Sequence, residues 1–255
     1  MRFASLGSGS EGNALVVESG HTCIMLDCGF GLRDTCQRLA AKNLTPEQIT
    51  AIVITHEHSD HVSGAAKFAR KYDVALWMTH GTLQNISKLH DNLPTIHLID
   101  SHSHFEIDDI IVYPFPVPHD AREPVQCVFS DGAHRLGVLT DTGDSTLHII
   151  NMLSGCDALV LECNHDSAML RNSNYPASLK QRISGQFGHL DNQAAAQLLA
   201  RLDHSKLQHL IAAHLSQHNN MPELALTQLS AVLGCHPHWL DYAKQDDGFS
   251  WRSMG

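Results

Sequence analysis

ITHEHSDH (residues 54–61) puts His56, Glu57, His58, Asp60 and His61 within six positions, straight after the apolar run TAIVIT (50–55). A solvated turn, or a chance cluster in a chain with 20 histidines, could account for the composition alone, so spacing has to decide. No His-Glu-x-x-His frame exists, because the fifth position counted from His56 is Asp60, and a helical zincin site is excluded. His56 and His58 alternate, so an extended backbone carries both rings on one side. Asp60 and His61 follow where the chain curls into the helical pattern SGAAKFARKY (63–72) and face a second point nearby. This arrangement suits two neighbouring cations, one held mostly by imidazoles and one by a carboxylate plus imidazole. The end of an apolar strand is also where α/β sheets place their sites.

One turn cannot complete two coordination shells, so further ligands are expected after other strands. VYPFPVPHD (112–120) delivers His119, LGVLTDTGD (136–144) delivers Asp141, and LIAAHLSQHNN (210–220) delivers His214. The rest of the chain alternates in the same way. Strand patterns at MRFASLGS, NALVVES and HTCIMLDCG lead into the helix LRDTCQRLAAKNL (32–44). DVALWMT and the helical HGTLQNISKLH (80–90) precede a strand-rich stretch from about 96 to 140. CDALVLEC, the helix NQAAAQLLARLD, the strand LQHLIAAH and the helix MPELALTQLSAVL close the pattern. Strand clusters flanked by helices in both halves predict an α/β chain of four layers, an αββα sandwich with two mixed sheets, as a single domain over 1–255.

Composition limits the partners. No apolar run of about 18 residues is present, so no membrane span is expected, and the first twenty residues do not read as a signal peptide. Seven cysteines without a Cys-x-x-Cys pair imply reduced thiols and a cytoplasmic location. Cys28, Cys127 and Cys163 read as packing residues rather than ligands. A net charge of -10 argues against a long-tract nucleic-acid binder. It says little against a metal-centred phosphoesterase, where two divalent ions return about four positive charges to the place that matters.

The Thr-His-x-His-x-Asp-His signature, Asp27 in LDCG (26–29) and the later His119, Asp141 and His214 resemble the metallo-β-lactamase fold superfamily over nearly the whole chain. The resemblance implies that His56, His58 and His119 hold one metal and Asp60, His61 and His214 the other. Asp141 would bridge them, and Asp27 would support the motif loop. GHLDNQAAAQLLARLDHSKLQHLIAAHLS (188–216) resembles the corresponding segment of ribonuclease Z-type phosphodiesterases. There His189, at a helix start, would protonate the leaving oxygen or steady a phosphoryl oxygen. The compact YycJ/WalJ-type members are similar in SLGSGSEGNALVV (5–17), ECNHDSAML (162–170) and YPASLKQRISGQFGHLDN (175–192).

These segments add candidates. Glu162 and His165 end a strand beside the expected metals, Glu162 to support the ligands and His165 to touch substrate. Lys180 and Arg182 would grip phosphates flanking the scissile one, Tyr175 would stack a base, and Asn13 would touch substrate. True lactamases generally lack the final His of the signature and usually carry Cys where this chain has Asp141. Glyoxalase II-like thioesterases share the full signature and remain the rival reading, together with a small-molecule phosphodiesterase. The chain has no room for the inserted domain of β-CASP nucleases or the tRNA-binding arm found in many ribonuclease Z enzymes. The sequence therefore predicts a binuclear phosphodiesterase, a DNA or RNA exonuclease using a metal-bridging hydroxide, with catalytic Asp60, Asp141 and His189. Zn2+ suits the His-rich donor set, and Mn2+ or Fe2+ is also accommodated.

Overall fold

Strands β1 (Arg2–Gly7), β2 (Ala14–Ser19) and β3 (Thr22–Leu26) form an antiparallel meander in a computed structural model that describes residues 1–86 and 95–255. After α1 (Leu32–Ala41), strand β4 (Ala51–Val53) pairs parallel to β3, with Leu26 opposite Val53. Helices α2 (Ser59–Val62) and α3 (Ala65–Tyr72) lead to β5 (Ala75–Met78), and α4 (His80–Ile86) precedes β6 (Ile96–Leu98). Both strands continue the parallel half of this first sheet.

The second half repeats the plan. Strands β7 (Phe105–Ile107), β8 (Ile110–Pro116), β9 (Val125–Ser130) and β10 (Arg135–Leu139) pair antiparallel. Helix α5 (Leu147–Leu153) leads to β11 (Ala158–Glu162), which joins β10 in parallel. Helices α6 (Ser167–Asn172), α7 (Ala177–Ile183) and α8 (Asn192–Arg201) precede β12 (His209–Ala213), and α9 (Pro222–Leu233) precedes the short β13 (Asp241–Tyr242). Strand β14 (Phe249–Ser253) then crosses back to the first sheet beside β1. The two seven-stranded sheets run β14-β1-β2-β3-β4-β5-β6 and β13-β12-β11-β10-β9-β8-β7.

Both faces of each sheet are covered, which is why its parallel strands read as apolar runs rather than alternations. Phe3, Val17, Ile24 and Val53 of the first sheet meet Val112, Phe129, Val138 and Val160 of the second in one buried layer. Phe68, Leu39 and Ala69 pack the outer face of the first sheet, and Leu153, Leu198 and Leu229 that of the second. Two mixed sheets between helical layers is the architecture the sequence predicts. Cys28, Cys127 and Cys163 are buried and unpaired, and burial pushes the Cys28 thiol up to about 12. No helix among the described residues is long and apolar enough to cross a membrane.

Some elements depart from expectation. Helix α1 stops at Ala41, and Asn43 turns the chain with a φ of 60°, well before Pro46. The helical reading of 80–90 holds as far as Ile86, and its remainder lies outside the described residues. The sequence signals no α5 or α6, because neither shows a sustained helical period.

Strands β3, β4, β8, β10, β11 and β12 all end at one edge of the sandwich. At that edge Asp27, Asp141 and His214 adopt left-handed backbone (φ 62°, 52° and 56°) just beyond β3, β10 and β12. Non-glycine residues adopt this region rarely, with Asp and His among the more tolerant, and such positions gather at functional sites. The left-handed step re-aims each side chain from the sheet face toward the edge.

Candidate metal centre

Asp27 pins the start of the motif turn. It accepts from the Thr55 amide at 2.8 Å and from the Thr55 hydroxyl at 2.9 Å. Backbone bonds lace the rest of the turn to its neighbours: the Asn13 amide donates to Asp60 O (2.7 Å), and the Cys28 amide donates to His61 O (2.8 Å). Gly29 fits this contact only because it lacks a side chain, since a Cβ there would lie 1.8 Å from Asp60 O. Gly29→Ala must therefore displace Asp60 and His61. We expect at least about a tenfold loss of metal affinity, comparable to losing an outer-shell partner. Zinc competition with a chromophoric chelator measures it, and unchanged affinity would show that the turn has slack.

Three imidazole nitrogens meet above the turn. His56 Nε2 lies 3.0 Å from His58 Nδ1, which lies 3.2 Å from His119 Nε2. A tetrahedral ion with Zn–N bonds of about 2.0–2.1 Å would set its ligand nitrogens roughly 3.4 Å apart, so the spacing fits one shared cation. Beside them, His61 Nε2 is 3.4 Å from Asp60 Oδ2 and 3.3 Å from Asp141 Oδ2, and His214 Nε2 is 3.5 Å from Asp141 Oδ1. Asp141 sits between the groups, with Oδ1 also 3.9 Å from His119 Nε2. By distance, His56/His58/His119 and Asp60/His61/His214 can each hold an ion. Asp141 Oδ2 and His214 Nε2 are buried with no hydrogen-bond partner among the described residues, an expensive arrangement unless a cation occupies the centre.

The outer nitrogens are fixed as metal-binding imidazoles require. His61 Nδ1 lies 2.8 Å from Asp27 Oδ2, His119 Nδ1 3.2 Å from Gly188 O, and His56 Nδ1 3.0 Å from Thr55 Oγ1. By distance, Glu162 could also join His189, His214 and Asp141 around an ion. Its oxygens instead accept from the Thr142 and Leu190 amides (3.0 and 3.1 Å) and lie 2.8 Å from His189 Nδ1. Glu162 therefore orients its neighbours. Burial pushes its carboxyl up, but His189 and His214 outweigh burial and hold it at about 2.

Without metal, the centre balances its carboxylates with protons. Burial lowers His214, yet Asp141, Asp60 and Glu162 raise it to about 10. His61 is likewise raised well above the ordinary value by Asp141, Asp27 and Asp60 against burial. Burial leaves His56 and His119 below the ordinary value, hence neutral. Coordination requires unprotonated ring nitrogens, so at pH 7 filling the Asp60/His61/His214 group should release about two protons, and His56 and His119 should release none. The sign follows: zinc affinity of that group rises with pH up to the raised imidazole values. Calorimetric zinc titration in buffers of different ionisation enthalpy counts these protons, and a total near zero would contradict the arrangement.

The two groups open into a cleft of about 360 Å³ lined by His58, Asp60, His119, Asp141, His189 and His214, with Tyr175, Arg182 and Ser216 at its sides. His189 lies two residues before the Asp191 cap of α8 rather than at the helix start. Its ring stacks on His214 with centroids 5.3 Å apart, and Glu162 takes Nδ1, which leaves Nε2 for the cleft. Tyr175 and Arg182 reach the cleft. Lys180 does not line it: its ammonium donates to Arg171 O (2.8 Å) and Ser173 O (2.7 Å) and closes the α6–α7 turn. Asn13 is buried beneath the ligands, donating to Gly9 O and lying 3.2 Å from His61 Nε2. His165 is buried as well, its Nδ1 3.3 Å from Asn164 Oδ1, and does not line the cleft.

Thr55, Asn164 and Asp120 hold positions at the centre that the sequence does not predict. The threonine that opens the signature and the acid following His119 were the available signals; nothing local marked Asn164, which donates to His214 O at 3.0 Å.

The chain is similar to known proteins in sequence and in fold. The chain is 35% identical over 239 residues (91% of this chain and 89% of the relative) to the exodeoxyribonuclease YycJ of Bacillus anthracis. It is 34% identical over 232 residues (88% and 85%) to the exodeoxyribonuclease WalJ of Streptococcus pneumoniae. Among solved structures, the metallo-β-lactamase fold protein YhfI from Bacillus subtilis superposes with a TM-score of 0.76 at 14% identity, covering 99% of both chains. Residues 22–215 match the family described as the β-lactamase superfamily domain, and the chain belongs to that superfamily.

Proposed function

We propose that the chain is a binuclear metal-dependent phosphodiesterase that degrades DNA from an end, folded as one domain over residues 1–255. The observation that carries this reading is the 35% identity to an exodeoxyribonuclease over about nine-tenths of both chains. The two ligand groups flanking Asp141 support it independently. His56, His58 and His119 would hold one ion and Asp60, His61 and His214 the other, with Asp141 facing both. Zinc suits this donor set best, and manganese or iron is compatible with the carboxylates. When bound, two such cations supply a nucleophilic water near neutral pH and neutralise charge on the phosphate oxygens.

The chain's own residues do the rest. Asp60 and Asp141 are held ionised by the neighbouring imidazoles against the effect of burial. Glu162 holds the His189 ring and keeps it protonated above the ordinary range, despite burial, so that Nε2 can deliver a proton to the leaving oxygen. Arg182 and Tyr175 at the cleft side take a flanking phosphate and a base; Lys180, occupied by carbonyls, has no part. The unpaired cysteines support a cytoplasmic location.

Digestion of end-labelled linear DNA and RNA, with closed circular DNA as control and zinc or manganese added, tests the proposal. Shortening of linear DNA from one end with circular DNA untouched is expected. Turnover of thioesters but not of DNA would replace the reading with a glyoxalase-like one.

A further inference from the structure

The cleft mouth carries a charged pair that the metal groups and His189 do not explain. Asp120 directly follows His119. Its Oδ2 accepts from Arg182 Nε at 2.6 Å, and its Oδ1 lies 3.5 Å from His119 Nε2 and 3.8 Å from His58 Nε2. Its backbone amide donates to Phe187 O at 3.0 Å. One residue is thus tied through its side chain to the end of α7 and through its main chain to the following loop, next to two candidate ligands. Arg182, whose side chain is 62% exposed, uses only Nε in this bond, so its Nη1/Nη2 edge remains for another anion.

The loop carrying Phe187 is held in place. A Cβ at Gly188 would lie 2.2 Å from Arg182 O, and one at Gly143 would lie 2.4 Å from the Gln186 backbone. Phe187 itself is 58% exposed on this fixed loop. A guanidinium edge held by the Asp120 carboxylate, and an exposed phenyl ring whose backbone carbonyl accepts from the Asp120 amide, match the two faces of a nucleotide. A long Arg side chain left unheld would lose rotamer entropy on every binding event, and the bond to Asp120 removes that cost beforehand.

We propose that Asp120 is the positioning residue of a nucleotide subsite at the cleft mouth, where Arg182 takes the phosphate next to the scissile one and Phe187 stacks a base. The inference rests on the nuclease reading above. It also makes a prediction opposite to simple electrostatics. Removing a negative charge beside a polyanion should tighten binding, whereas losing the bond that sets Arg182 should weaken it.

The test compares Asp120→Asn, Arg182→Ala, their combination and Phe187→Ala in the zinc-loaded full chain. The substrates are a single-stranded DNA oligonucleotide and methyl p-nitrophenyl phosphate, which has no neighbouring nucleotide. Each single change should raise KM for DNA about tenfold, the scale of one stacked base or one fixed phosphate contact. The combined Asp120/Arg182 variant should be no worse than Arg182→Ala alone, zinc content should stay constant, and the small diester should lose far less than DNA. Unchanged or lower KM in Asp120→Asn, multiplicative losses in the combined variant, equal losses on both substrates, or loss of zinc would each overturn the proposal. A wild-type protein that hydrolyses the small diester but no DNA would remove the nuclease reading, and the subsite with it.

Discussion

Asp141→Ala should reduce DNA hydrolysis by at least about a thousandfold and strip zinc from the protein, the largest effect the structure implies for one side chain. Asp141 is the residue that faces both ligand groups, with Oδ2 toward His61 and Oδ1 toward His214 and His119. A fold defect would also abolish activity, so the informative readout is thermal. Zinc should raise the unfolding temperature of the wild type through binding to the native state alone. The variant should show little of that rise while the metal-free proteins unfold at similar temperatures. A variant that keeps two ions and the full zinc-dependent rise would remove Asp141 from the centre.

His189→Gln should behave differently. It should lower kcat on DNA by about a hundredfold to ten-thousandfold, the range for losing a positioned general acid, without loss of zinc. The metal groups are complete without this ring, which is held by Glu162, stacks on His214, meets His119 edge-on and has Nδ1 3.8 Å from Asp141 Oδ1. The leaving group makes the test specific. DNA expels a basic alkoxide that needs a proton, whereas p-nitrophenolate leaves unaided. Hydrolysis of bis(p-nitrophenyl) phosphate should therefore fall by a much smaller factor than hydrolysis of DNA. Equal losses on both substrates would assign His189 to holding the phosphate rather than protonating the leaving oxygen.

How legible each part was follows from the range of the interactions that set it. His56, His58, Asp60 and His61 are spaced by strand and turn periodicity, which sequence displays directly, and His119, Asp141 and His214 each announce themselves as polar residues ending apolar strands. The supporting residues were harder. Asp27 and Glu162 could be placed near the centre, but their contacts with Thr55 and His189 depend on how distant strand ends meet. Lys180 reads as a phosphate contact because it is a cation in a basic, aromatic segment, while the fold brings two helix-end carbonyls to its ammonium. Asp120 was overlooked because its significance comes from Arg182, 62 residues away. The short helices α5 and α6 take their stability from packing and caps such as Thr146 and Asp166, which leave little periodic trace.

On the proposed reading, separate strand ends at one edge of the sandwich enclose two neighbouring cations. The most direct measurement is anomalous diffraction at the zinc edge from crystals of the zinc-loaded protein. Two peaks about 3.5–4 Å apart are expected, as in binuclear hydrolases, one among His56, His58 and His119 and one among Asp60, His61 and His214, with Asp141 between them. A single peak, or two peaks separated by more than a carboxylate can span, would contradict it.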